Sequence, residues 1–222
     1  MVAFASSQKE PRTLYKLMIG SIVPRPIAWV SSVSADGRVN LAPFSFFNGV
    51  CSNPPTLAFS VIDRAGEMKD TSRNIHEVPE FTVHIVSEGV AERMNVTCGD
   101  YGGHIDEFVE AGLTALPGSQ VRTPHVAEAP VAMECRVMHH LRIGHDPGQT
   151  SHIIGEIVHW HIDDSVIDAR DRIDPDALLA VGRMGGNQYS RIRERFEMER
   201  PQIAPEDPRS IQAWKARQGA AK

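Results

Sequence analysis

Hydrophobic positions in this chain fall into roughly six short strand-like runs, with a few short helical segments between them. In the first run, Ile22, Val23, Ile27, Trp29, Val30 and Val33 are strand formers, and Ser34-Ala35-Asp36-Gly37 closes it with a hairpin-type turn. Val39-Asn40-Leu41-Ala42-Pro43 follows, and then Phe44-Ser45-Phe46-Phe47-Asn48-Gly49-Val50. Three aromatics within four positions cannot share one face of a strand, so this patch is predicted to be a loop. Pro54-Pro55 introduces a further apolar strand, Thr56-Leu57-Ala58-Phe59-Ser60-Val61. Phe81, Val83 and Ile85 alternate with Thr82 and His84, which predicts a strand over 81–86. Val131, Met133, Cys135 and Val137 mark a strand within 131–143. Asp146-Pro147-Gly148 is a turn, and Ile153, Ile154, Ile157, Val158 and Trp160 carry a strand over 151–162. Helices are expected over 68–78, 90–97, 105–111 and 176–181. Residues 13–18 form a lead-in, helical or extended, whose Leu14, Tyr15, Leu17 and Met18 would cover the first strands.

No regular β-α alternation is present, so the pattern favours a mostly β, antiparallel barrel with short helices over a parallel sheet. Gly182-Arg183-Met184-Gly185-Gly186 is not GxGxxG and follows a helix, which disfavours a dinucleotide fingerprint. The 222 residues, 41% hydrophobic and 23% charged, bound one globular domain over 1–198. A tail over 199–222 is rich in proline, alanine and charge. Its Ile211 and Trp214 lie at helical spacing, and it is expected to be mobile. A net charge of -5 and a pI near 6.0 exclude bulk affinity for nucleic acid or an anionic membrane, so any phosphate needs a local site. No apolar run reaches membrane length, and Gln8, Lys9, Glu10, Pro11 and Arg12 interrupt the region where a signal peptide would need an apolar core. Three widely spaced cysteines (Cys51, Cys98, Cys135) point to neither a disulfide framework nor a CxxC metal site. The expected location is therefore cytoplasmic. The three strands around the aromatic, hydroxyl-bearing patch at 44–50 read as a wall for a planar ligand.

Several motifs, taken in order, resemble the flavin reductase-like family, whose fold is the FMN-binding split barrel (flavoredoxin-like). They are Pro24-Arg25-Pro26-Ile27-Ala28-Trp29-Val30-Ser31, Asn40-Leu41-Ala42-Pro43-Phe44-Ser45-Phe46-Phe47, Asn53-Pro54-Pro55 and Lys69-Asp70-Thr71-Ser72-Arg73-Asn74-Ile75. Downstream, Asp106-Glu107-Phe108, Ile154-Gly155-Glu156-Ile157 and Gly182-Arg183-Met184-Gly185-Gly186-Asn187-Gln188-Tyr189 extend the likeness over about 13–200. The resemblance implies a six-stranded antiparallel split β-barrel that is homodimeric, with non-covalent FMN at or near the subunit interface. It implies an oxidoreductase that moves hydride from NADH or NADPH to flavin, then electrons to free flavin, oxygen or a flavin-dependent monooxygenase. The alternative is an FMN-binding electron carrier without NAD(P)H activity. It also brings His152 toward the nicotinamide side of the flavin as a catalytic candidate.

The local chemistry fits that implication. An isoalloxazine ring needs a flat apolar slot and backbone donors, which Phe44, Ser45, Phe46, Phe47 and Asn48 can offer. A phosphate needs cations, hydroxyls and free amides. Lys69, Thr71, Ser72 and Asn74 near a helix start supply them, with Arg25 and Ser31 or Ser32 from the neighbouring strand. Arg25 lies between two prolines and projects from confined, extended backbone. Arg183 and Tyr189 are candidates for the pocket edge. His159-x-His161 puts two imidazoles on one strand face, and His139-His140 and His152 lie in adjacent segments. A metal site needs a third convergent ligand, which the sequence does not identify, so no metal is expected, and Glu134 and Glu156 read as structural.

Overall fold

The run Ala28–Val33 is β1, buried at all six positions. Gly37, with φ of 89°, and the bonds from Ser34 N to Arg38 O and Gly37 N to Ser34 O close the hairpin into β2, Val39–Phe44. The computed structural model describes residues 1–201 and 209–220. The remaining strands are β3 Phe47–Ser52, β4 Pro55–Ile62, β5 Glu80–Ile85, β6 Ala115–Leu116, β7 His125–Val126, β8 Val131–Ile143, β9 Thr150–Ile162, β10 Val181–Arg183 and β11 Tyr189–Arg191. Seven of them form one antiparallel sheet in the order β2-β1-β5-β8-β9-β4-β3, while β6-β7 and β10-β11 are two-stranded ribbons. The helices are α1 Pro11–Ser21, α2 Asp70–Glu77, α3 Ala91–Val96, α4 Glu107–Glu110, α5 Pro175–Leu178 and α6 Arg209–Ala220. Among the described residues, no helix is long and apolar enough to cross a membrane.

Three expectations need correcting. The sheet has seven strands rather than six, because Phe47–Ser52 pairs with β4 instead of forming a loop. Residues 48–52 are all exposed, so this edge strand carries no hydrophobic alternation by which it could be recognised. The barrel is also not closed: β2 and β3 are the two edges and do not pair with each other. In addition, α1 does not cover the first strands. None of its residues is buried, and Tyr15, Leu17 and Met18 stay exposed. In the tail, Ile211 and Trp214 do lie on a helix, and residues 202–208 and 221–222 fall outside the described set.

One core fills the concave side of the sheet, with Phe44, Phe59, Phe81, Val83, Cys135 and Ile153 at its centre. Phe59 touches both other rings, at 5.6 Å to Phe44 and 5.3 Å to Phe81. Gly155 is required here, because a Cβ on it would come within 2.5 Å of the Phe81 ring. The second core, around Trp29, Leu41, Met94, Phe108 and Val126, packs α3, α4 and the β6-β7 ribbon on the other side.

Two buried polar groups join these layers. Trp29 Nε1 donates to Thr97 Oγ1 at 3.0 Å, tying β1 to the end of α3. His84, fully buried, sits 2.8 Å from Trp29 O through Nδ1 and accepts from Val126 N through Nε2 at 3.0 Å. That pattern uses one donor and one acceptor, so it requires the neutral ring. Burial pushes the His84 pKa down to about 3, with the carbonyl of Trp29 acting weakly the other way. A folded pKa below the unfolded value near 6.5 means this contribution is complete above about pH 6.5. It is lost as pH falls, by at most ~1.4 kcal/mol per pH unit. The His84 ring resonances are therefore expected to show no titration between pH 7 and 5 by NMR, and a midpoint near 6.5 would refute the neutral assignment.

Candidate functional site

Arg25 organises a depression beside the start of β1. Its backbone makes a two-way bridge to Arg183, N to O at 2.9 Å and O to N at 2.8 Å, which seats the β10-β11 ribbon beside the start of β1. Its guanidinium donates from Nη1 to Ile19 O at 2.6 Å and Ile22 O at 2.8 Å, from Nη2 to Met184 O at 3.0 Å and from Nε to Ser45 Oγ at 3.2 Å. The end of α1, the β2-β3 joint and the 184 loop are thus held by one buried cation. Desolvation lowers its pKa from the usual arginine value. The planar fork suits this arrangement, since its donors point in fixed, divergent directions.

These parts enclose a cleft of about 1140 Å³ between α1, the 43–45 segment, α3 and the β10-β11 ribbon. Apolar walls come from Ile19, Phe44 and Met94, and polar groups from Ser45, Asn95 and Arg183. Arg183 lies over the Tyr189 ring at 4.5 Å and donates to Gly186 O at 2.5 Å, while Tyr189 OH reaches Asn95 Oδ1 at 3.2 Å. Of the sequence-predicted residues, Arg25, Phe44, Ser45, Arg183 and Tyr189 meet here.

A second group gathers at the start of α2, and its members differ in how far their polar atoms are committed. Asn40 Nδ2 donates to Thr71 Oγ1 at 2.8 Å, and Asn74 Nδ2 donates to Ser32 Oγ at 3.2 Å. This buried network fastens α2 to β1 and β2. Ser31 faces the other side of the strand and donates to Pro124 O at 2.6 Å. Ser72 Oγ is fully buried and has no hydrogen-bond partner among the described residues. Lys69 occupies the N-cap position of α2 and caps nothing with its side chain. That side chain reaches solvent, yet crowding desolvates the amine and, with nearby Arg64, lowers its pKa. Cys98, on the cleft wall, interacts electrostatically with both Lys69 and Arg183, so the helix start and the cleft adjoin.

Other predicted residues stand apart. Phe47 packs partly on the inner core, Phe46 accepts at its carbonyl from Ser60 N at 2.9 Å, and Asn48 is exposed on the edge strand with Nδ2 donating to Gly49 O. His152 Nδ1 lies 2.9 Å from Ser60 Oγ, across the β4-β9 pair and outside the cleft lining. Sequence reasoning missed Tyr15, Ile19, Asn95, Cys98 and Met184 in that lining. Local signals existed for Cys98, in a Cys98-Gly99 turn, and for Met184, inside the Gly182–Gly186 segment, whereas the helices that supply Tyr15, Ile19 and Asn95 carry no motif.

Residues 19–181 match the sequence model of the family described as "Flavin reductase like domain". A Bacillus subtilis protein, YwrF, described as uncharacterized, is 38% identical over 204 residues, covering 90% of this chain and 100% of that one. Among solved structures, nitrilotriacetate monooxygenase component B from Bacillus cereus is similar at 36% identity and TM-score 0.86, covering 89% of this chain and 98% of that one. The 2-nitrobenzoate 2-nitroreductase NbaA of Pseudomonas fluorescens is similar at 32% identity and TM-score 0.82, covering 92% and 99%.

Arg25→Ala should release three backbone carbonyls at once. Hydrogen bonds to a charged donor contribute about 1.5–3 kcal/mol each before the neighbours relax. A thermal midpoint lower by roughly 5–10 °C is expected, with little recovery in Arg25→Lys, whose single ammonium cannot span the same acceptors. Differential scanning calorimetry checks this, and a lysine variant as stable as the wild type would refute the fork argument.

Proposed function

The chain belongs to the flavin reductase-like family, and we propose that it is an oxidoreductase that holds FMN non-covalently in the Arg25 cleft, with the phosphate at the start of α2. The observation that carries this reading is that, among the described residues, Lys69 forms no ion pair and the buried Ser72 hydroxyl has no partner, both in the first turn of one helix near a ring-sized cleft. An anion placed there would gain the Lys69 ammonium, the free amides of the first turn of α2 and the Ser72 hydroxyl. The residues present therefore fit the group.

When bound, FMN supplies a two-electron relay between NADH or NADPH and a final acceptor. The chain's own residues place and shield it. Phe44, Ile19 and Met94 offer apolar faces, and backbone amides beside Ser45 offer donors to ring oxygens. Arg25 acts as a positioning residue, because its bonds set where the Ser45 joint and the 184 loop stand. Thr71, Asn74 and Ser32 hold α2 in place through the buried network rather than through the phosphate. The final acceptor in this reading is free flavin for a partner monooxygenase, in line with the similarity to a monooxygenase component. A second copy of the chain covers the exposed apolar side of α1 and walls the open cleft, which gives the homodimer.

Anaerobic mixing of the FMN-loaded protein with NADH and with NADPH tests the enzyme reading. Bleaching of the flavin absorbance by either nucleotide is expected, and flavin that stays oxidised with both would leave an FMN-binding electron carrier. Lys69→Ala tests the phosphate seat separately. One charge-assisted contact of about 1.5–3 kcal/mol predicts roughly ten- to a hundredfold weaker FMN binding, with riboflavin affinity unchanged. Equal weakening of both ligands by calorimetric titration would move the lysine's role to the fold.

A further inference from the structure

Away from the cleft, three ligand-type side chains converge where the β6-β7 ribbon lies on β8 and β9. His125 comes from β7, Glu134 from β8 and His161 from β9, and their ligand atoms lie within 4.8 Å of one another. None of the three lines the cleft. His161 Nε2 is 2.6 Å from Glu134 Oε1, and the His125 and His161 rings stack at 3.9 Å. His159, two positions back on the same strand, stands edge-on to His161 at 4.8 Å.

We propose that His125, Glu134 and His161 form a binding site for one divalent transition-metal ion of the zinc type, which staples the β6-β7 ribbon to the sheet. The donor set is chemically apt: two imidazoles and a carboxylate leave one position for water or for His159. Zinc bonds of about 2.1 Å put neighbouring tetrahedral ligands about 3.4 Å apart, so the longest edge must close by about 1.4 Å, the scale of a side-chain rotation. The ion takes the place of the proton shared between Glu134 and His161.

Two further observations favour a ligand here over a finished hydrogen-bond network. The Nδ1 atom of His125 is buried and has no partner among the described residues, so a ring nitrogen is left over in an otherwise satisfied corner. Glu134 is 0% exposed and rigidly aimed, accepting from Ser119 N and Gln120 N at 2.6 Å each and from Val121 N at 3.1 Å. Such outer contacts orient a ligating carboxylate. His84 plays a matching part behind His125, since its Nε2 fixes the Val126 amide next along β7.

The test is calorimetric titration of Zn²⁺ into the chelator-treated full-length protein, with Co²⁺ as the spectroscopic substitute. One Zn²⁺ per chain is expected, at about 1 µM or tighter, with visible Co²⁺ bands and a thermal midpoint raised by mass action. His125→Ala and His161→Ala should each weaken binding at least a hundredfold, whereas His139→Ala on the exposed part of β8 should leave it unchanged. Wild-type protein that takes up no Zn²⁺ tighter than about 100 µM overturns the site whatever the variants do. So does full one-equivalent binding in a folded His125→Ala protein.

Discussion

The two edges of the main sheet, β2 and β3, are consecutive in the chain and joined by only Ser45 and Phe46. Six inter-strand spacings of about 4.8 Å would put the edges of a flat seven-stranded sheet about 29 Å apart. Phe44 and Phe47 can be separated by at most about 11 Å of extended chain. The sheet has to roll until its edges nearly meet, and the concave core around Phe44, Phe59 and Phe81 fills the space that the roll encloses. The joint is also where Arg25 grips Ser45, so the point of greatest topological constraint is a wall of the candidate site. A rigid wall at that place follows from the connectivity before any ligand is considered.

Much of this was legible in the sequence wherever burial is one-sided. Strands β8 and β9, the hairpin at Gly37 and the start of α2 carry period-two alternation, a turn glycine or an N-terminal signal. Strand β3 was not legible because its side chains face solvent at five of six positions and its order comes from pairing with β4. Helix α1 was only half legible for the opposite reason: its apolar residues promised burial that the single chain does not provide. At the site, Arg25 and Lys69 could be picked out because proline confinement and a helix start are local facts. Tyr15, Ile19 and Asn95 could not, because they reach the cleft only through the way their helices pack.

The polar interior divides by whether its groups are spent. Ser32, Asn40, Thr71 and Asn74 satisfy one another and hold α2 to the sheet, which makes them part of the frame. Among the described residues, four buried side-chain atoms have no partner: Ser72 Oγ, His125 Nδ1, His140 Nε2 and Trp214 Nε1. Burying an unmet polar atom costs about 1–3 kcal/mol, so an orphan beside other convergent groups is informative where one amid apolar neighbours is not. Two of the four have such company: Ser72 has Lys69 and the first turn of α2, and His125 has Glu134 and His161.

Helix α1 buries none of its residues and is fastened at its C-terminal end by two bonds from one guanidinium. Eleven residues are too few to keep an isolated helix formed in water. Its first turns therefore depend on few contacts within the chain, the condition under which local opening is easiest. Tyr15 and Ile19 ride on that helix and border the cleft. On the proposed reading, a ligand in the cleft is walled in part by one short helix, so anything that leans on α1 from outside would slow its escape without touching it.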